Sequence, residues 1–348
     1  MAQKKLGHEV WVAGDSGFLA TQYARQAGLT VIEVSFSTRN PFRYLAGMRR
    51  LYHFIRRNGI EIINTHRPED HLLAALIGKK TGIPVVRTVG DVRAPKKNIL
   101  NRYLHDQLTR FLIFSCSANL IRYQSCWPDI GTKSFVIHGG VSLEIFYPRP
   151  KNAAAIKKLG LAENKLLLGQ IGRLSVVKDF PTVIKALALV LEERPDVHLI
   201  ISGQKGKVKA NTLQELAASY NIEQHITFVD HYTPVEELIG ILDIGIVASR
   251  DSEAICRIAM EYMAMGIPVV ATDVNVLPEI IIDRRNGLIV PSEDPIAMSE
   301  AITELISNSE LCSRIRQNNR DDSRSRLDIL SAAGQTTGIY HQILRMDI

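Results

Sequence analysis

Residues 244–272 read IGIVASRDSEAICRIAMEYMAMGIPVVAT. A short apolar run, 244–248, opens the stretch and a second, 268–272, closes it. Between them lies a helix-length segment, 254–265, stopped by Gly266. Strand, helix, strand with both strands apolar throughout is the unit of a parallel sheet covered on both faces. In such sheets ligands bind outside the carboxyl ends of the strands. Ser252 and Glu253 fall at the expected helix entrance, where free backbone N–H groups favour anions. Glu261 comes eight residues after Glu253, about two turns on, so helical spacing puts both carboxylates on roughly one face. Read singly, they are a helix-start glutamate that suits the macrodipole and a surface glutamate. Their place between two sheet strands makes them candidates for binding sugar hydroxyls.

The same alternation extends in both directions. Strand-like runs lie at 9–13, 60–65, 84–88, 111–115 and 135–138, then at 166–171, 197–202, 226–229 and 288–290. Helix-length segments lie at 42–58, 69–81, 180–193, 211–220 and 295–307. Two such sets in series predict an α/β chain of two doubly wound, Rossmann-like domains. Tyr147-Pro148-Arg149-Pro150 disfavours both helix and central strand, which marks the boundary. The expected domains are 1–148, 149–325 and a C-terminal helix, 326–348, that packs back on the first domain. The chain opens Lys4-Lys5-Leu6-Gly7-His8-Glu9-Val10, which reads as the end of a helix, a glycine stop and a strand. A doubly wound domain normally begins with a strand and a Gly-rich turn, so either Met1 lies downstream of the true start or the domain is built without that strand.

Composition supports a folded, two-domain chain. The 348 residues are 46% hydrophobic and 22% charged, which excludes disordered and low-complexity classes. No unbroken apolar run exceeds the length of 72–77, far short of the roughly 20 residues that span a bilayer. No apolar segment follows Lys4-Lys5, which argues against a signal peptide. Cys116, Cys126, Cys256 and Cys312 form no Cys-x-x-Cys pair and no zinc spacing, so free thiols in a reducing cytosol are expected. The net charge of +6 hides two opposite halves. Residues 1–150 carry 21 Lys and Arg against 10 Asp and Glu, and the remainder carries 21 against 26. A basic first half suggests an anionic partner, such as a membrane surface or phosphorylated glycolipid; no reader motif points to nucleic acid.

Gly172-Arg173-Leu174-Ser175-Val176-Val177-Lys178 follows the run 166–171. Two cations five residues apart at a strand's carboxyl end suit a diphosphate, with Arg able to clamp oxygens bidentately and Lys serving as a point charge. They read alternatively as two solvated loop cations.

Together these pieces resemble the second domain of a family four glycosyltransferase, a retaining enzyme of the GT-B fold. The resemblance rests on Gly172-Arg173-Leu174…Lys178, the E-x7-E pair Glu253 and Glu261, Ala264-Met265-Gly266-Ile267-Pro268-Val269-Val270, Leu277-Pro278-Glu279 and Asn286-Gly287-Leu288-Ile289-Val290-Pro291. It continues more weakly in Gly7-His8-Glu9-Val10 and Val136-Ile137-His138-Gly139-Gly140-Val141…Phe146. It implies two domains with an active-site cleft between them and a nucleotide-diphospho-sugar as donor, with neither metal nor other cofactor. Arg173 and Lys178 would hold the diphosphate, Glu253 would contact the donor sugar, and Glu261 would bind the ribose. Gly172 and the backbone of Ala254, Ile255 and Cys256 would line the donor site. The sequence departs from the family at Ala254 and Cys256, where glycine is usual, and at Asn275-Val276, where a Gly-Gly pair is usual. Where the family often carries a His after the run 84–88, Gly90 stands, followed by Asp91. Asp91 reads either as a group that takes a proton or orients the sugar, or as a loop aspartate in a turn.

The implied function is a cytoplasmic, peripheral enzyme that moves a sugar to a cell-envelope glycan or lipid-linked acceptor. The absent first strand leaves a second reading, a truncated and catalytically impaired nucleotide-sugar-binding protein. Residues 42–58 form an amphipathic pattern in which Leu45, Met48, Tyr52 and Ile55 recur among Arg43, Arg49, Arg50, Arg56 and Arg57. With Arg39, Lys79, Lys80, Lys96 and Lys97 they give a cationic surface suited to an anionic membrane, or an ordinary helix packed on the sheet. His66, His71, His105 and His138 read first as structural, His66 also as a cleft residue.

Overall fold

The computed structural model describes residues 1–36, 41–204, 206–230 and 232–346; Arg39 and His231 lie outside them. The chain divides into two compact units, Met1–His138 with Leu330–Ile348, and Gly139–Ile329. The first crossing therefore falls upstream of residues 147–150, where the sequence places it. The cause is a backbone clasp. Val141 N–H donates to Leu327 O at 2.8 Å and Ile329 N–H donates to Val141 O at 3.0 Å. A Cβ on Gly140 would stand 2.5 Å from Ile329 Cα, so only glycine allows this approach.

The second unit is one parallel six-stranded sheet. Its strands are β7 (Leu166–Ile171), β8 (Val197–Ser202), β9 (Ile226–Val229), β10 (Ile244–Val247), β11 (Val269–Thr272) and β12 (Leu288–Val290), in the order β12-β11-β10-β7-β8-β9. The order reverses between β7 and β10, which is the switch point at which such sheets bind ligands. All residues of β8, β10 and β11 are buried, as expected for central strands covered on both faces. Phe180, Ile184 and Leu187 of the helix Phe180–Glu193 pack with Leu168, Leu199 and Ile246 in one core. Helix starts follow side-chain capping where it is present: Asp294 accepts from Ile296 N–H and Ala297 N–H, both at 3.0 Å, ahead of Pro295–Ser307.

The first unit has six strands, β1 (Trp11–Gly14), β2 (Thr30–Glu33), β3 (Ile63–Thr65), β4 (Val85–Val89), β5 (Phe111–Phe114) and β6 (Ser134–Val136). They form two parallel sheets, β1-β2 and β3-β4-β5-β6. β1 and β3 each present one edge with no strand partner among the described residues. A cavity of about 1250 Å³, lined by Trp11, Ala13, Phe54, Ile63, Thr65 and Tyr340, touches both edges. β2 is absent from the sequence reading. The helix Ile329–Met346 returns to this unit, where Ile339 and Ile343 pack on Val86, Phe111 and Ile113.

One helix differs from expectation in a way that matters for the site. The segment 254–265 becomes helical only at Arg257, in the helix Arg257–Ala264. Cys256 takes a left-handed conformation, φ +43°, and ends the preceding loop. Glu253 therefore lies in the loop and shares no helical face with Glu261.

Candidate active site

The loops after β7, β10 and β11, neighbours in the sheet, converge at its carboxyl edge. Arg250 N–H donates to Val177 O at 2.9 Å, which ties the loop after β10 to the one after β7. Val276 N–H donates to Glu253 O at 3.2 Å, which ties the loop after β11 to the one after β10. Thr272 Oγ1 donates to Ser249 O at 2.7 Å. Motifs far apart in sequence thus become one constellation.

At its centre Lys178 forms an ion pair with Glu253. The same Glu253 oxygen accepts a hydrogen bond from Ser249 Oγ at 2.7 Å. Both side chains are more than four-fifths buried. Burial pulls the Lys178 ammonium down, while Cys256 and Glu253 push it up, with a net rise. Glu253 carries that rise, because burial pushes the Cys256 thiol up to about 12 and leaves it neutral. Gly172 lies against the Lys178 stem. Gln170 Nε2 donates to Lys178 O, leaving its own buried Oε1 without a partner. Arg173 is exposed and forms no hydrogen bond or ion pair among the described residues, so its guanidinium is available to an anion.

Ala254 and Ile255 form the turn into the helix Arg257–Ala264, and Cys256 is its N-cap residue. Glu261 is buried within that helix. Burial lifts its carboxyl to about 7, with Arg257 opposing and Glu236 adding to the rise. Cys256 and Asn275, two positions where the sequence departs from glycine, both have positive φ, +43° and +48°, the region that favours glycine. Asn tolerates that region better than most side chains.

The structure thus brings together Gly172, Lys178 and Glu253, with the neutral Cys256 thiol beside them. Sequence reasoning missed Ser249 and Gln170, which fix the pair. An apolar run ending in a polar residue, Ala248-Ser249, is the only signal for the first, and it is weak.

Asp91 belongs to the first unit. It accepts from Arg93 N–H at 3.0 Å and from Arg93 Nη2 at 3.0 Å. Burial raises its carboxyl, and the Arg93 bonds outweigh it, so the group is held below its usual range. Its bond from the Arg93 N–H two residues on is the local turn that an aspartate side chain makes. His71 and His105 are buried, stacked edge to face at 4.8 Å and neutral, pushed by burial to about 2 and about 4. His66 is exposed at the end of β3. All four cysteines are free. Among the described residues no helix is long and apolar enough to cross a membrane. No group of three His, Cys, Asp or Glu side chains among them is placed to hold a metal ion.

Residues 151–322 match the family model Glycosyl transferases group 1, and residues 1–145 match Glycosyltransferase Family 4. The putative glycosyltransferase EpsD of Bacillus subtilis is 29% identical over 99% of this chain and 92% of its own length. Spore coat protein SA of the same organism is 29% identical over 63% of this chain, which spans only 61% of that relative's length. A glycosyltransferase from Rickettsia africae superposes with a TM-score of 0.89 at 21% identity, covering 99% of this chain and 93% of its own. Anabaena Alr3699/HepE, solved in complex with UDP-glucose, gives 0.83 at 17% identity, covering 98% and 93%. With one family model on each unit and this architecture, the chain belongs to the glycosyltransferases of the GT-B fold.

Proposed function

We propose that the second unit binds a nucleotide-diphospho-sugar and that the chain transfers the sugar, with retention at the anomeric carbon, to a cell-envelope glycan or lipid-linked acceptor. The observation that carries the reading is the ion pair of Lys178 with Glu253 at the switch point of the sheet, with Arg173 exposed in the same loop as Lys178. The solved Anabaena relative held with UDP-glucose supports the donor class.

In this scheme Arg173 closes on the diphosphate from solvent and Lys178 meets it from within. As the bond to the anomeric carbon breaks, negative charge grows on the departing diphosphate. Preorganised cations in a half-buried site stabilise it without reorganisation. Glu253, held by Ser249, faces the donor sugar. Glu261 takes the ribose hydroxyls, and the backbone around Ala254–Cys256 caps the phosphates. No resident metal is needed, since the two cations supply the charge. Asp91 would orient the acceptor hydroxyl; as a proton acceptor it is weakened by Arg93.

The acceptor surface in this reading is on the first unit, at the inner face of the cytoplasmic membrane. Phe42 and Ile99 are each 83% exposed, and Leu45 and Leu100 are exposed too, among Arg43, Arg49, Lys96 and Lys97. Leu45 thus leaves the expected buried stripe of its helix, where Ile55 is buried as expected and Leu51 joins it. Apolar tips among cations suit peripheral contact with anionic lipid.

The test is transfer from a panel of nucleotide sugars by wild type and by Arg173→Ala with Lys178→Ala, with anomeric configuration read by NMR. Loss of transfer in a folded double variant is expected, and wild-type turnover by it overturns the diphosphate assignment. The split first sheet favours a second reading, binding without transfer. Calorimetry with nucleoside diphosphates separates the two: a bound nucleotide with no turnover on any acceptor favours the second.

A further inference from the structure

Two buried histidines of the first unit face each other from neighbouring helices. His71 stands on the helix Pro68–Thr81 and is 1% exposed; His105 stands on the helix Ile99–Asp106 and is 5% exposed. Their rings meet edge to face, with centroids 4.8 Å apart and planes at 82°. The rings of Trp127 and Tyr123 stand 5.1 Å and 5.8 Å from that of His105. The same two helices also touch through Lys79 Nζ, which donates to Tyr103 OH at 3.0 Å.

The hydrogen bonds assign each ring its proton. Thr109 Oγ1 has one proton and donates it to Leu104 O at 2.8 Å. Toward His71 Nε2, 2.7 Å away, the hydroxyl can then only accept, so that nitrogen carries the hydrogen. His105 Nδ1 lies 2.8 Å from Asn101 O, a carbonyl that can only accept, so His105 carries its hydrogen there. Both rings are neutral, which leaves His71 Nδ1 and His105 Nε2 bare.

A second proton on either ring would gain little from its surroundings. The Arg87 guanidinium, on β4, disfavours charge on both imidazoles, and Lys133, at the end of the turn Pro128–Lys133, disfavours it on His105. Burial pushes the Tyr123 hydroxyl up, so it stays protonated and offers no negative charge. Asp106 favours charge on His105, but its Oδ2 already accepts from Arg102 Nε at 3.0 Å. Asp70, next to His71 in the chain, accepts from Arg67 N–H at 3.0 Å. A charged imidazole here would repel its neighbour and the guanidinium in a desolvated setting.

We propose that this pair is an acid-sensitive latch that fastens the helix Ile99–Asp106 to the helix Pro68–Thr81, and that protonation of either imidazole favours release of the former. In the released helix an imidazole takes its proton near the usual 6.5, whereas in the closed one burial and neighbouring charges hold it to about 4 at His105 and about 2 at His71. Closure is therefore complete above pH 6.5 and is lost as pH falls from there toward about 4. The open population grows about tenfold per pH unit for each imidazole freed. The helix so released carries Ile99 and Leu100, both exposed. What its release does to lipid contact rests on the function proposed above; the latch itself does not.

The experiment is hydrogen exchange of the full chain, read by mass spectrometry between about pH 7.5 and 5.5 and corrected for the intrinsic exchange rate. Below pH 6.5, protection over residues 99–106 should fall about tenfold or more per pH unit, while the helix Phe180–Glu193 of the second unit keeps its own. His71→Phe with His105→Phe keeps two rings in place and removes both protonation sites, so protection should then hold constant across the range. If that variant does not fold, nitrogen-15 NMR of the histidine rings in the wild-type chain decides. Both rings should stay neutral at about pH 5.5, with hydrogens on His71 Nε2 and His105 Nδ1. Protection that ignores pH in the wild type, an undiminished pH dependence in the double variant, or imidazoles that titrate near 6.5 while residues 99–106 stay protected overturns the latch.

Discussion

Lys178 and Glu253, separated by 75 residues of sequence, form a buried ion pair. Two opposite charges set together at the edge of a sheet store a choice. The two charges satisfy each other, and in the proposed scheme a diphosphate would compete with the carboxylate for the ammonium. Removing one partner strands the other. Lys178→Met or Glu253→Gln alone should cost about 3 kcal/mol, whereas the double variant Lys178→Met with Glu253→Gln should recover most of it. Urea unfolding of the four proteins in the cycle measures the coupling, and additive losses would show that the pair does not act as a unit.

Glu261 makes stability depend on pH. Its carboxyl rises from 4.5 to about 7 by burial, so the folded protein holds this proton more tightly than the unfolded chain does. The contribution is complete below pH 4.5 and is lost as pH climbs through about 7; it is worth at most about 3 kcal/mol. Glu261→Gln should narrow the gap between urea midpoints at pH 5 and pH 8. An equal gap in both proteins would remove Glu261 as the source.

Gly203 marks the closest backbone approach near the donor loop. A Cβ there would stand 1.7 Å from Gly172 O, while a Cβ on Gly172 would meet only the Lys178 stem at 3.4 Å. Gly203→Ala should therefore displace the Arg173 loop and cost about 2–3 kcal/mol. Gly172→Ala should fold with less than half that loss. Thermal midpoints and nucleotide affinity of the two variants test the contrast.

Ile99 and Leu100 are solvent-exposed and adjoin Lys96 and Lys97. Ile99→Glu with Leu100→Glu should leave stability within about 0.5 kcal/mol and reduce co-sedimentation with phosphatidylglycerol vesicles. Lys96→Ala with Lys97→Ala should weaken it by about 1 kcal/mol per cation at low salt. Equal binding by all three proteins would refute a lipid contact through this face.

Much of the fold is legible because buried parallel strands announce themselves. β7, β8, β9 and β12 begin and end where their apolar runs do. β2 escapes because Thr30 and Glu33 are exposed and only Ile32 is buried, which leaves too little apolar signal. The short helix Ser117–Gln124 lacks a capping side chain. In the site, Arg173, Lys178 and Glu253 are legible from their places after apolar runs. The helical pairing of Glu253 with Glu261 is not, because the left-handed turn at Cys256 is a backbone event that a cysteine does not advertise.

The backbone clasp between Val141 and residues 327–329 has a consequence for synthesis. The second unit is continuous in sequence, but the first is interrupted by it and ends with the helix Ile329–Met346. A chain emerging from the ribosome can close its later unit before its earlier one is finished. Until Ile339 and Ile343 arrive, Val86, Phe111 and Ile113 lack their cover, so nascent chains stalled near their end should expose the first unit, not the second, to proteases and chaperones.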